Sequence, residues 1–155
     1  MINQLINWSR KHSLSILRWS MGIIFLWFGV LKLFPQPGEA EDLGYRTLHW
    51  LSGDRLGQRT ALWILGLLEL SIGAGLLLKK WMGLVLCLLF FQMAGTFLPL
   101  IIFPAESWDG FLKPSLAGHY IIKNLVLLSA GLVLTATAPK KAEPAAAGKD
   151  RIVKT

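Results

Sequence analysis

Four long apolar stretches, separated by segments rich in Pro, Gly and charged residues, set the pattern of this chain. They fall at residues 14–34, 60–78, 81–103 and 119–137. As helices rising 1.5 Å per residue, each reaches about 28 Å or more, close to the hydrocarbon thickness of a bilayer. The first carries Arg18, Gly22, Phe25, Gly29 and Lys32 at alternating spacings of four and three, which places all five on one helical face. The second carries Gly66, Glu69 and Gly73 on a shared face. Small residues let another helix approach closely, so both faces are expected to point into a bundle rather than at lipid. The third holds Gln92 and Thr96 one turn apart, then Pro99, whose missing N–H predicts a kink. In the fourth, His119, Lys123 and Val126 share a face, with Asn124 beside them. The pattern predicts an all-α, polytopic membrane protein: a bundle of four transmembrane helices.

The connections add detail. Residues 1–13 form a short mixed segment, and Ile2, Leu5, Ile6 and Trp8 suit a helical turn lying in the membrane interface. Residues 35–59 open with a Pro-Gln-Pro-Gly turn signal and continue as an amphipathic helix over 39–51 in the first external loop. Lys79-Lys80 leaves room only for a very tight turn, and 104–118 reads as a loop. Residues 138–155, rich in Pro, Ala and Lys, are expected to be a disordered tail. Arg10, Lys11, Arg18, Lys79, Lys80 and the tail place ten basic residues on one side; Arg46, Arg55, Arg59 and Lys113 place four on the other. The positive-inside rule then puts both termini in the cytoplasm.

Composition agrees with a membrane unit: 54% of residues are hydrophobic and only 16% are charged. The net charge of +7 does not indicate nucleic acid, because the basic residues gather at the ends of apolar spans. A single cysteine, Cys87, excludes an internal disulfide and a CxxC redox pair. The first apolar segment is too long, and too interrupted by Arg18 and Lys32, for a cleavable signal. Of three histidines only His119 lies near a span, so a bis-histidine haem site is not expected. No His/Glu pairs recur at helical spacing as a zinc or di-iron site requires.

What remains is Glu69, an acid at the middle of an apolar helix. Such a group costs at least a few kcal/mol unless paired, neutralised or wetted. Lys32 and Lys123 are candidate partners, and Gln92, Asn124 and His119 are further polar residues that would share the bundle interior. Two readings stand. In one, Glu69–Lys123 is a buried pair that fixes helix register. In the other, the cluster lines a pocket for a quinone-sized ligand, with Lys123 or His119 bonding a quinone carbonyl and Glu69 relaying a proton.

Arg18, Gly22, Gly29 and Lys32, Gly66, Glu69 and Gly73, the Glu39-Ala40-Glu41 segment, the turn at 103–106 and the run at 118–128 resemble, in order and spacing, the DoxX-like family of small four-helix membrane proteins. The likeness is greatest to the YkgB-type branch, although Asn124 stands where many members carry an acid. The resemblance covers residues 14–137 and implies a bacterial inner-membrane protein tied to redox metabolism or oxidative stress. It further implies a membrane or periplasmic redox partner and a quinone as ligand. The rival class is a non-catalytic scaffold or small-molecule handler, a homo-oligomer among its forms, embedded in the lipid bilayer.

Overall fold

The computed structural model describes residues 1–34 and 38–137, with 39 and 40 as backbone alone. Residues 35–37 of the turn expected at 35–38, and the tail expected at 138–155, lie outside the described residues. The chain forms α1 (Ile2–Leu31), α2 (Glu39–Leu51), α3 (Gln58–Leu78), α4 (Met82–Phe97), α5 (Pro99–Ile102) and α6 (Pro104–Ser107). A two-stranded ribbon follows, β1 (Trp108–Gly110) with β2 (Lys113–Pro114), and then α7 (Leu116–Lys123) and α8 (Leu125–Ala136). Four helical stretches are long and apolar enough to cross a membrane: Ile2–Leu31, Gln58–Leu78, Met82–Ile102 and Leu116–Ala136. The expected four-helix bundle with an amphipathic helix after the first span is the observed fold.

Local chemistry explains where the elements differ from expectation. The first helix does not begin near residue 14 but runs unbroken from Ile2, since no Pro or Gly precedes Gly22. Pro99 lacks an N–H, and the Gly95 carbonyl accepts from Leu98 N instead, at 3.2 Å. The third span is thereby divided into α4 and α5. The segment read as a loop at 104–118 instead contains α6, the ribbon and the first turn of α7. Ser115 starts that last helix: its hydroxyl accepts from Gly118 N at 3.1 Å, an N-cap contact. Between α3 and α4, Lys79 (φ 55°) and Trp81 (φ 50°) both adopt left-handed backbone, the geometry by which a two-lysine connection reverses the chain.

α1 and α3 run antiparallel in the most extensive helix–helix contact of the bundle, where glycine faces glycine. A Cβ at Gly29 would lie 3.0 Å from the Gly66 carbonyl oxygen, and one at Gly73 only 2.8 Å from that of Gly22. The seven-residue spacing within each helix brings both pairs into register at once. Arg18, on the same face, donates to the Leu76 and Leu77 carbonyls, which end α3 and have no partner within the helix. Below this level Met21, Phe25, Ile72, Leu76, Leu89 and Met93 form the main core, closed by Ala130 and Leu134 of α8. α2 packs on α3, α5 and α7, where Leu43, Ala117 and Ile121 form a second core. Arg46 reaches Glu106 at 2.7 Å and lies over the Phe103 ring, joining α2 to the turn after α5. Trp27, Leu67, Leu84, Val126 and Leu132 are exposed, as side chains in contact with acyl chains should be.

Candidate functional site

Glu69 lies near the midpoint of α3 and is 8% exposed. Lys32, the residue that ends α1, donates from Nζ to Glu69 Oε2 at 2.8 Å. Gln92 of α4 donates from Nε2 to the other carboxyl oxygen at 3.0 Å. Thr96, one turn along α4, donates to the Gln92 backbone carbonyl at 2.9 Å. Three helices thus meet at one carboxyl group, with each oxygen taking one donor.

The glycine contact makes this meeting possible. Gly29 precedes Lys32 by three residues, and Gly66 precedes Glu69 by three. A Cβ at Gly66 would sit 2.9 Å from the Gly29 carbonyl oxygen and 3.3 Å from Lys32 Cβ. The lysine stem therefore crosses α3 over a residue with no side chain, and its ammonium reaches the acid from there. The ammonium also lies 5.8 Å from the Phe28 ring centroid.

The structure corrects the pairing of Glu69 with Lys123. Ala117, Gly118 and Ile121 are the buried residues of α7. Lys123 and His119 are exposed on its other side, together with Val126 of α8. The three do share a face, and it is the outward one. Lys123 Nζ lies 5.5 Å from the centroid of its neighbour Tyr120, and His119 Nδ1 bonds the Ser115 carbonyl at 2.8 Å. Asn124 is half-buried and borders the interior.

Beside the Glu69 cluster is a cleft of about 830 Å³, lined by α1, α2, α3, α4 and the junction of α7 with α8. Its walls are mostly apolar, with Phe25, Phe28 and Phe91 among them. Lys32, Glu69, Gln92 and Asn124 line it, and so do Glu41, Thr47 and Thr96, which sequence reasoning had not assigned to a site. Glu41 and Thr47 belong to the connecting helix, and their approach depends on α2 folding back over the bundle. No spacing in the sequence signals that. Among the described residues no three His, Cys, Asp or Glu side chains converge where they could hold a metal ion.

No family model, curated protein or solved structure matches the chain. The geometry alone decides the class. This is a small multi-span membrane protein. Its interior holds a buried lysine–glutamate ion pair within a four-helix bundle.

Proposed function

We propose that the protein is a non-catalytic membrane scaffold that handles a small molecule, and that its Lys32–Glu69–Gln92 cluster is a structural pin. The observation that carries this reading is that the Glu69 carboxyl is held from two sides at once. Both carboxyl oxygens have donors, and those donors come from different helices. Donors from two helices on an acid of a third tie the register of all three together. The cleft next to it supplies the handling surface.

A second reading draws on the same cleft: a redox-linked subunit of the DoxX-like, YkgB-type kind, in a bacterial inner membrane with both termini cytoplasmic, that accepts a quinone from the bilayer. Apolar walls with a few polar groups favour it. Its proposed carbonyl donors, Lys123 and His119, sit on the exposed side of α7, which ranks it behind the first reading.

The test replaces both charges by an apolar residue of similar length, Lys32→Met with Glu69→Met. The purified double variant is analysed by mass spectrometry for co-purifying lipids and small molecules. The scaffold reading expects the wild-type complement in a folded protein. Loss of a specific bound molecule, with helix content and melting preserved, would give the cluster a direct part in function and overturn the reading.

A further inference from the structure

Three polar groups bordering the cleft present acceptor oxygens. The Thr47 hydroxyl gives its proton to the Leu43 carbonyl at 2.8 Å, and the Thr96 hydroxyl gives its own to Gln92 O at 2.9 Å. The Gln92 amide points a proton at Glu69. The two hydroxyl protons are committed within the protein and their oxygen lone pairs are left over, while Gln92 keeps a second amide N–H as well as its oxygen. The side-chain oxygen of Gln92 has no donor among the described residues. Thr47, Thr96 and Gln92 thus present acceptor oxygens that suit an occupant's N–H or O–H groups, beside the N–H groups that Lys32, Gln92 and Asn124 retain.

Charge points the same way. Three ionisable carboxyl or ammonium groups line the cleft: Lys32, Glu41 and Glu69. Lys32 and Glu69 satisfy each other at 2.8 Å, and Glu41 has no ion pair among the described residues. One carboxylate is thus in excess, within walls that carry the rings of Phe25, Phe28, Phe91 and Tyr120. Aromatic faces attract a cation and do nothing for an anion. A volume of about 830 Å³ is in the usual range for an organic ligand of drug size.

We propose that the cleft binds a lipophilic ammonium ion, a protonated amine on an apolar body, drawn from the membrane. The acceptor oxygens of Thr47, Thr96 and Gln92 receive its N–H groups, Glu41 balances its charge, and the aromatic walls hold its hydrocarbon. This inference rests on the small-molecule-handling half of the reading above, and it names the class of molecule handled.

The probe is dodecylammonium, titrated calorimetrically into the full chain in nanodiscs of zwitterionic lipid, with empty discs subtracted. Dodecanol and dodecyl sulfate, of equal tail length, are titrated in parallel. Saturable binding at one site per chain is expected for the ammonium, at least tenfold tighter than for the alcohol, with none for the sulfate. Glu41→Gln, nearly identical in shape, is expected to weaken the ammonium at least tenfold and leave the alcohol unchanged. Thr96→Val, checked for wild-type helix content, supplies an independent loss of affinity should Glu41→Gln fail to fold. Equal affinity for alcohol and ammonium would make the cleft a site for neutral lipid and overturn the inference. Preference for the sulfate, or no saturable binding by any probe, would overturn it too. None of these results touches the pin role of Lys32 and Glu69, which the doubly apolar variant tests separately.

Discussion

An acid at the centre of a membrane helix costs about 3 kcal/mol if nothing answers it. Glu69 is answered twice, by the Lys32 ammonium and the Gln92 amide. Replacing Gln92 with Leu keeps the volume but leaves Glu69 Oε1 without a donor. Loss of a hydrogen bond to a charged group costs about 2 kcal/mol, which unfolding in mixed micelles should register. Lys123→Met is the matched control: its side chain is exposed, so the same measurement should stay within about 0.5 kcal/mol of wild type. A large effect at Lys123 with none at Gln92 would return the pairing to α7. At this scale the sequence marked the acid and both lysines. It could not choose between the lysines, because each lies on a helical face with other polar or small residues. Only the antiparallel register of α1 on α3 separates them, with Gly29 against Gly66 three residues before Lys32 and Glu69.

Elements are held by close approach more than by side-chain bulk. At Gly66 an added Cβ would meet the Gly29 carbonyl oxygen at 2.9 Å, and backbone cannot step aside as a side-chain end can. Gly66→Ala is therefore expected to separate α1 from α3 and lengthen the Lys32–Glu69 contact, lowering the melting temperature by several degrees. Gly83→Ala in α4 meets nothing within 4 Å, so helix propensity alone acts, worth up to about 1 kcal/mol in favour of alanine. Opposite signs from two identical substitutions are the expected result in thermal melts. Arg18 offers a further check. Its guanidinium caps the Leu76 and Leu77 carbonyls, so Arg18→Met should speed hydrogen exchange at the end of α3 while α4 stays protected. The glycine faces were readable because their spacing is regular. The ribbon of β1 and β2 was not, since two and three residues give no periodicity to read, and Leu112 takes φ 55° at its tip. The long start of α1 was hidden by the polar character of its first turns, which hydropathy separates from the span although the backbone does not.

For the whole molecule, an even number of crossings by the four membrane-length helices would put both ends of the bundle on one side. Single cysteines at Asn3 and Thr137, in a Cys87→Ser background, should react with an impermeant maleimide from the same face of a sealed vesicle. Labelling from opposite faces would remove one span from the topology. From the ten-to-four distribution of basic residues we propose that this face is the cytoplasmic one. The cleft was the least legible feature. Its lining comes from stretches as distant as Ile24 and Leu127, gathered only once α2 lies across α3 and α7.

A buried charge pair joins α1 to α3, and in the proposed reading it locks them together. The direct measurement is a double-mutant cycle of Lys32→Met and Glu69→Met, with unfolding free energy read in the same lipid for all four proteins. Each single substitution strands one charge near the bilayer midplane, so each is expected to lose about 3 kcal/mol. The double variant, with no charge left to strand, should lie within about 1 kcal/mol of wild type. Losses that simply add, with the double variant as unstable as the two singles combined, would contradict the lock.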